Sequence, residues 1–492
     1  MSDVCLLVEG AYPYVTGGVS NWLHALVSNL PGLTFTIVHI GARPDPGRRS
    51  RYTLPSNVIE FCEIFINDVA QVKKHKRSRH RPGPWQDFQT FHETVAIGQP
   101  CDLELLRKMV SRPGLAGLTT SDLLYARESW EVLVRLYTLY APQESFVDFF
   151  WTFRFTYLPI FRLLEAALPQ AGIYHAVSTG YCGLLGTLAK IRTGRPLIVT
   201  EHGIYTRERE IEIAQSTWLS QLTPAHRLRN QRLGFFQQWW LNIYRFMEKI
   251  TYEIADVLVS ITGVNRDYQL KHGADAGKLK IIPNGIDIER LAYLPDREQT
   301  GSFLVGFIGR IVPIKDVKTF LHAIKLAHET ILNLEAYLVG PIEEDAQYFQ
   351  ECRQLVDLLG LGRQVHFTGP ADVRLYYGKL DIVVLTSLSE GQPLVILEAN
   401  CAKLPVVATD VGACSELLLG VSREDQALGA SGLVTHVASP DETARAIVHL
   451  WHDEDLRRRM GTAGHQRVRR FYAQEQLYND YTELYRFYLS QK

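Results

Sequence analysis

The chain has 492 residues, of which 46% are hydrophobic and 21% charged, and its net charge is −1. This length predicts two or three domains with sizeable cores, and the balanced charge gives no overall reason to expect nucleic acid as a partner. Seven dispersed cysteines without the spacing of metal ligands predict reduced thiols in the core of a cytoplasmic protein.

The sequence pattern also argues against a signal peptide and against a membrane-spanning helix. A strand is predicted from residue 4, which leaves no room for a signal peptide. No apolar stretch approaches the ~18 residues that a membrane-spanning helix needs. We therefore expect a cytoplasmic location, with any membrane contact peripheral and at the inner face of the cell membrane.

The first predicted strand, residues 4–8, is followed by a glycine pair and a helix over residues 19–30. Gly17 and Gly18 allow the backbone to approach a ligand closely, but the pair alone is a weak signal and a plain turn is the alternative. Further strands are predicted at residues 34–40 and 58–61. The continuous apolar character of these runs is typical of buried parallel strands.

A basic run and a helical insertion interrupt this pattern between residues 64 and 170. The run at residues 73–81 is either a solvated loop or a contact for anionic lipid or an acidic partner. Helices are predicted at residues 122–140 and 143–167. The second is rich in phenylalanine, and we interpret it as core, with a groove for an acceptor or partner as the alternative.

Alternating strands and helices resume with strands 173–177 and 196–200 and a helix at 181–192. His202 follows the strand 196–200, and the carboxyl ends of parallel strands are where open α/β sheets bind ligands. A hydrogen-bonded core histidine is the alternative. Residues 206–210 are predicted to form a mobile loop on the acceptor side. A helix at 235–254 and strands at 256–260 and 279–283 complete this half.

Residues 295–301 are polar and end in glycine, so we place a domain boundary there. Beyond it, strands at 303–308, 335–339, 365–367, 381–386 and 405–409 alternate with helices at 317–330 and 347–359 and a helix from Pro393. Closing helices are predicted at 441–451, 454–471 and 475–489. This alternation predicts a second parallel sheet covered on both faces.

Polar groups follow four of these strands and would meet at one edge of the sheet. Arg310 and Lys315 together suit a diphosphate, since a guanidinium grips two oxygens and an ammonium adds charge. Glu390 precedes a helix, and Glu398 lies about 8 Å along it. The N–H groups of its first turn, including those of Leu394 and Val395, suit an anion between the two carboxylates.

The two remaining strand ends carry Gly369, whose backbone suits the edge of a base, and residues 410–416. Each feature alone has a structural explanation as a surface ion pair, a turn or a helix cap. Their convergence on one edge favours a nucleotide-sugar site.

These motifs resemble those of the retaining family-4 glycosyltransferases: Gly309-Arg310 with Lys315, Ser389-Glu390-Gly391 with Leu397-Glu398-Ala399, and residues 405–409. Gly17-Gly18, His202 and residues 284–287 are similar to motifs in the first half of that family. The resemblance implies an α/β GT-B fold of two Rossmann-like, doubly wound domains facing each other across a cleft. It implies domains at 1–294 and 295–471, with a last helix at 472–492 that packs back on the first.

The resemblance also implies roles for individual residues. Arg310 and Lys315 would hold the diphosphate in place of a metal, Glu398 the ribose, and Glu390 the transferred sugar. Gly17 and Gly18 would close over the diphosphate, and His202 would lie near the reaction centre. No cofactor is expected.

One departure and one further similarity refine this expectation. The family commonly has Phe-Gly where this chain has Gln392-Pro393, and proline removes a backbone donor. The aromatic-rich insertion is similar to that of the PelF-type subgroup of Pel exopolysaccharide synthesis. That implies a UDP-sugar donor, a polysaccharide acceptor and a membrane-embedded synthase or export complex as partner. A UDP-sugar 2-epimerase and a non-catalytic nucleotide-sugar-binding subunit remain as alternatives.

Overall fold

The computed structural model describes residues 1–70, 72–74, 82–98, 107, 115, 117–215, 234–291, 294 and 301–491. The chain divides into two compact units, each built on one β-sheet. The first unit comprises Met1–Ser260, Arg266–Lys280 and Thr482–Lys492, and the second comprises Ile261–Asn265 and Ile281–Tyr481. The domain boundary predicted at residues 295–301 lies outside the described residues, apart from residue 301.

The sheet of the first unit has seven strands in the order β3-β2-β1-β4-β5-β6-β7. Its strands are β1 (Ser2–Glu9), β2 (Phe35–Gly41), β3 (Val58–Phe65), β4 (Ala171–Ala176), β5 (Leu197–Glu201), β6 (Val257–Ser260) and β7 (Leu279–Ile281). Strands β1 to β6 pair in parallel. The order reverses between β1 and β4, which is the switch point of a doubly wound fold.

Nine helices are described in the first 271 residues. They are α1 (Gly18–Ser28), α2 (Pro82–Val95), α3 (Thr120–Tyr125), α4 (Arg127–Tyr140), α5 (Phe146–Glu165), α6 (Tyr181–Thr193), α7 (Tyr205–Gln215), α8 (Phe235–Ile254) and α9 (Gly263–Lys271). The insertion contributes α2 to α5 of these. No helix within the described residues is long and apolar enough to cross a bilayer.

Two predictions for this half were wrong. The helix predicted over residues 122–140 is interrupted at Ala126, whose extended backbone separates α3 from α4. The loop predicted at residues 206–210 belongs to α7. Alternating arginine and glutamate at helical spacing supports an exposed helix, and Arg209 pairs with Glu212 at 2.7 Å in this way.

The aromatic helix α5 packs as core on one face in its first half and on all sides over residues 156–161. Phe149, Phe153 and Tyr157 are buried there, and the rings of Phe153 and Tyr157 meet the ring of Phe88 on α2 edge to face. Such pairs add ~1 kcal/mol beyond the buried area. The opposite face leaves Trp151 about half exposed. The core interpretation is therefore confirmed for one face of the first half of the helix and for all faces over residues 156–161.

The sheet of the second unit has six parallel strands in the order β10-β9-β8-β11-β12-β13. They are β8 (Phe303–Ile308), β9 (Leu334–Val339), β10 (Val365–Gly369), β11 (Ile382–Leu385), β12 (Val406–Thr409) and β13 (Gly432–Thr435). This order is again doubly wound, with its switch point between β8 and β11. Two such sheets confirm the predicted α/β architecture.

The helices of this half run from α10 to α18. They are α10 (Val317–His328), α11 (Ala346–Leu358), α12 (Val373–Tyr377), α13 (Leu394–Cys401), α14 (Cys414–Leu419), α15 (Arg423–Gln426), α16 (Pro440–His452), α17 (Glu454–Phe471) and α18 (Gln474–Ser490). Buried side chains cover both faces of the sheet. A buried ion pair between Arg467 and Asp425, at 2.5 Å, fixes α17 against this core.

Candidate active site

Most candidate residues of the second unit follow the two strands at the switch point of its sheet, β8 and β11. Because β8 and β11 are adjacent and parallel, the segments that follow them begin at the same edge. The segment after β8 carries Arg310 and ends in a short 3₁₀ turn, Pro313–Lys315. The segment after β11 carries Glu390. The structure therefore brings Lys315 and Glu390 together across 75 positions of sequence.

Lys315 and Glu390 form a largely buried ion pair. Nζ of Lys315 lies 2.5 Å from Oε1 of Glu390, and their side chains are only 18% and 10% exposed. The Ser387 hydroxyl donates to the same oxygen at 2.6 Å. Charge-assisted bonds in such a poorly solvated place are strong and fix both partners. Two ammonium protons of Lys315 remain for a further anionic group.

The loop that presents Glu390 is held from three directions. The N–H of Leu388 donates to the carbonyl of Ile314 at 2.8 Å, and the Thr409 hydroxyl donates to the carbonyl of Ser387 at 2.7 Å. Gly412 has a φ of 54°, and a Cβ there would lie 2.0 Å from the carbonyl oxygen of Glu390. Only glycine allows this approach.

The second glutamate, Glu398, lies one turn into α13 and has a different environment. Its Oε2 accepts a hydrogen bond of 2.7 Å from the hydroxyl of Tyr377, which is 1% exposed. Burial raises the pKa of Glu398, and the Tyr377 hydrogen bond and the charge of Arg290 oppose that rise. The first turn of α13 leaves N–H groups, including those of Leu394 and Val395, without partners inside the helix.

Two further predicted residues lie at the same edge but outside this cluster. Arg310 is half exposed and forms a short ion pair with Glu344. Gly369 ends β10, two strands from β8, with a φ of 68°. Its carbonyl accepts from the N–H of Gly340 at 3.1 Å.

Gln392 and Pro393, the departure from the family pattern, have a structural explanation. Pro393 precedes α13 instead of beginning it, because the helix starts at Leu394. The buried Gln392 amide accepts from the N–H of Asn284 at 2.8 Å and donates to its carbonyl at 3.3 Å. The amide thereby ties the Glu390 loop to residues 284–287.

In the first unit, α1 contacts His202 through Trp22. Gly17 and Gly18 are exposed, and α1 has no side-chain cap and no acidic residue in its first turn. Trp22 on α1 packs edge to face on the His202 ring, with centroids 4.4 Å apart. Burial lowers the pKa of His202 to about 4, and its Nε2 has no partner among the described residues. His202 is therefore neutral near pH 7.

Next to His202 lies a network of buried carboxyl groups that sequence reasoning missed. Glu201 accepts from Thr179 at 2.9 Å, Tyr252 at 2.7 Å and Gln269 at 2.8 Å. Burial raises the pKa of Glu201. These partners are far apart in sequence, and no local motif points to them.

The network extends from Glu201 to two further glutamates. Glu9, at the end of β1, accepts from the N–H of Tyr181 at 2.9 Å and from the hydroxyl of Tyr205 at 3.0 Å. Glu248 lies 3.0 Å from Nδ1 of His272. Burial raises the pKa of Glu9, and it raises that of Glu248 to about 8. No group of three or more potential metal ligands occurs among the described residues.

Comparison with known families gives a match for each half of the chain. Residues 2–277 match the family described as a domain of unknown function, DUF3492. Residues 302–453 match the family described as glycosyl transferases group 1. The second match contains every candidate residue of the second unit described above.

Among curated proteins, the chain is similar to the MMP α-(1→4)-mannosyltransferase of Mycolicibacterium hassiacum. The two are 24% identical over 327 residues, which is 65% of this chain and 72% of that protein. It is also 28% identical to the D-inositol 3-phosphate glycosyltransferase of Rhodococcus opacus over 309 residues. That match spans 58% of this chain and 62% of the relative.

Two solved structures share the fold over almost their whole length. Sucrose-phosphate synthase from Thermosynechococcus elongatus superposes with a TM-score of 0.59 at 18% identity, covering 99% of this chain and 100% of that chain. Anabaena HepE in complex with UDP gives a TM-score of 0.57 at 15% identity, covering 98% and 99%. At these identities the likeness establishes the fold.

Proposed function

This chain belongs to the DUF3492 family and carries a glycosyl transferases group 1 domain, and from that premise we propose that it is a retaining glycosyltransferase. Its donor is a UDP-sugar that supplies a hexose or an N-acetylhexosamine. Its acceptor is a growing exopolysaccharide of the Pel type. The reaction takes place in the cytoplasm.

The observation that carries this proposal is the buried pair of Lys315 and Glu390 beside the start of α13. Lys315 meets the diphosphate with its free ammonium protons, while Glu390 contacts the transferred sugar through Oε2. The N–H groups that open α13 add positive potential at the same place. Glu398 accepts hydrogen bonds from the ribose.

Arg310 completes the cation charge at the diphosphate, and no metal is required. Its pair with Glu344 is half exposed on both sides, and such pairs contribute only ~0–1 kcal/mol. A diphosphate can therefore replace Glu344 at little cost. The Lys315–Glu390 pair, in contrast, stays intact when the donor binds.

In the reaction, the bond between the anomeric carbon and the β-phosphate oxygen breaks as the acceptor hydroxyl attacks from the same face. The acceptor's proton passes to the departing phosphate, and UDP leaves. Negative charge grows on the leaving group, so Lys315 and Arg310 act most strongly in the transition state. Removing one such contact costs ~3 kcal/mol, or about a hundredfold in rate.

We assign His202 and the Gly17-Gly18 start of α1 to substrate binding by the first unit. A neutral His202 with an unpartnered Nε2 is able to exchange a hydrogen bond with a sugar hydroxyl. The bare helix start suits an anionic group. Gly369 is assigned to the base of the nucleotide.

The choice of UDP is supported by HepE, which was solved with UDP and with UDP-glucose. The Pel-type acceptor is supported by the aromatic-rich insertion. A membrane-embedded synthase or export complex is the proposed partner, contacted by the basic run at residues 73–81. Lys73 and Lys74 of this run are described, with the carbonyl of Lys73 bonded to Ser121 at 2.9 Å, and residues 75–81 lie outside the described residues.

The test incubates the purified chain with UDP-glucose, UDP-N-acetylglucosamine or UDP-N-acetylgalactosamine, with and without an oligosaccharide acceptor. We expect UDP release that needs the acceptor and a product one sugar longer, with the anomeric configuration of the donor. Glu390→Gln serves as the inactive control. Conversion of the donor to its 2-epimer without an acceptor would identify an epimerase instead, and binding without turnover would identify a non-catalytic subunit.

A further inference from the structure

Tyr377 contacts Glu398 from inside the core of the second unit. It ends α12, is 1% exposed, and packs in the same apolar cluster as Ile396 and Leu397 of α13. Its hydroxyl lies 2.7 Å from Oε2 of Glu398. The ring cannot move without disturbing that core, so the hydroxyl is held at a fixed point.

The direction of this hydrogen bond is also fixed. Burial raises the pKa of Tyr377 well above its usual range, so the phenol keeps its proton and donates. An ionised carboxylate only accepts. Tyr377 therefore engages one oxygen of Glu398, while Oε1 has no hydrogen-bond partner among the described residues.

The hydrogen bond acts on the charge of Glu398 as well as on its orientation. Burial favours the protonated acid, whereas a donated hydrogen bond favours the carboxylate. A protonated Glu398 would lose the charge-assisted part of any contact with a hydroxyl. The phenol thus favours the ionised carboxylate, which is the form that accepts hydroxyl protons best.

We propose that Tyr377 is a positioning residue that makes Glu398 select nucleotides by their ribose hydroxyls. The site accepts nucleoside diphosphates with intact 2′- and 3′-hydroxyls and rejects deoxyribose forms, because the oriented carboxylate would be left without donors. This inference rests on the proposed function, since it concerns the ribose of the donor nucleotide.

The test measures binding of UDP and of 2′,3′-dideoxy-UDP by calorimetry to the intact chain, to Tyr377→Phe and to Glu398→Gln. Wild type should prefer UDP by about tenfold or more, and Tyr377→Phe should weaken UDP about tenfold. It should leave dideoxy-UDP unchanged, since that ligand has no hydroxyl for Glu398. In a Glu398→Gln background, Tyr377→Phe should add no further loss.

A pH series separates positioning from a loss of structure. Tyr377→Phe removes a hydrogen bond that lowers the pKa of Glu398, so that pKa rises further. UDP binding by the carboxylate, lost as the pH falls through this pKa, should then fail at a higher pH in the variant. Tyr376→Phe is the matched control, because it makes the same change one residue away without a bond to Glu398.

The contrary results distinguish a failure of the Tyr377 positioning role from a failure of the proposed function. Equal weakening of UDP and dideoxy-UDP by Tyr377→Phe, or no change in the pH profile, overturns the positioning role. If wild type binds ADP or GDP instead of UDP, the same comparison with the dideoxy form of that nucleotide tests Tyr377, while the UDP part of the proposed function fails. Wild type that binds no nucleoside diphosphate overturns both.

Discussion

The two sheets share a strand order, yet the edges at their switch points carry opposite chemistry. In the first unit the edge holds Glu9 and Glu201, which accept hydrogen bonds from hydroxyl, amide and backbone donors and whose pKa values are raised by burial. In the second unit the corresponding edge holds the ion pair of Lys315 and Glu390 with Ser387.

The difference shows that topology determines where a site can form, whereas the side chains determine what it does. The carboxyl groups of the first edge accept hydrogen bonds from neighbouring residues of their own unit. The second edge keeps unused donors, namely the remaining ammonium protons of Lys315 and the first N–H groups of α13. An anionic substrate is therefore matched to the second edge.

Removing the cation of the second edge should have the largest effect. Lys315→Ala should lower turnover by ~10²–10³ and weaken UDP binding at least tenfold. In the proposed function, the charge of Lys315 meets the diphosphate in the ground state and in the transition state. Lys318→Ala is the matched control, since Lys318 pairs with Glu351 at 2.7 Å but is 42% exposed. Steady-state kinetics and calorimetry on both variants check this. Equal losses of turnover and UDP affinity in Lys315→Ala and Lys318→Ala would contradict the distinction between a buried and an exposed ion pair.

Displacing the Glu390 loop should have the next largest effect. Gly412→Ala places a Cβ against the carbonyl of Glu390, and a shift of about 1 Å at a reacting group costs up to about a hundredfold in rate. Gly360→Ala strains a similar backbone, with a φ of 68°, but its Cβ meets nothing within 4 Å. If Gly360→Ala slows turnover as much, strain alone is the cause.

The buried carboxyl groups around the first edge, including Glu248, should make the free energy of unfolding depend on pH. The pKa of Glu248 is raised from 4.5 to about 8, so between these values the folded form holds a proton that the unfolded form releases. The free energy of unfolding therefore falls as the pH rises through this window. Buried His92, His175 and His202, with pKa values lowered to about 3, 3 and 4, act in the opposite direction, but only below about 6.5.

Between pH 6.5 and 8 these histidines no longer contribute, whereas Glu9 and Glu201, whose pKa values are also raised by burial, act in the same direction as Glu248. Glu248 should contribute a loss of about 1–2 kcal/mol of unfolding free energy there, and Glu248→Gln should reduce the wild-type loss by that amount. Glu253→Gln, an exposed change on the same helix, is the control. Urea unfolding followed by tryptophan fluorescence reports this unit, because seven of the eight tryptophans lie before residue 261. A slope that Glu248→Gln leaves unchanged would refute the assignment.

The half-exposed ion pair of Arg310 and Glu344 should give the smallest effect. Glu344→Gln frees Arg310 from a half-exposed partner, and such pairs contribute at most ~1 kcal/mol. UDP affinity should rise about twofold to fivefold, measured by calorimetry at low salt. A larger rise would mean that Glu344 blocks the site and that Arg310 is held more firmly than its exposure indicates.

Sequence patterns located all seven strands of the first sheet but only five of the six strands of the second. Apolar runs and the glycines that follow them located the strands from β8 to β12, and Arg310, Lys315, Glu390 and Glu398 were read from the ends of those strands. β13 was missed, because Gly432–Thr435 has no long apolar run. The predicted roles of these residues stay predictions.

What the sequence did not predict depends on distant contacts. Tyr377 reaches Glu398 only because α12 packs on α13, and nothing in residues 373–377 signals that contact. The pairing of Lys315 with Glu390 was likewise hidden, since both were expected to meet substrate separately. Glu201 precedes His202 directly, yet its three donors come from three other elements.

The measurement that tests the central claim most directly compares the two glutamates of the second unit. UDP binding by calorimetry and sugar transfer are measured for Glu390→Gln and Glu398→Gln. Glu390→Gln should abolish transfer while UDP affinity holds or rises, because Lys315 is released from its partner and the sugar contact is lost. Glu398→Gln should weaken UDP ten- to about a hundredfold, through the loss of a charged acceptor for the ribose. The account is contradicted if Glu390→Gln abolishes UDP binding while Glu398→Gln binds UDP like wild type.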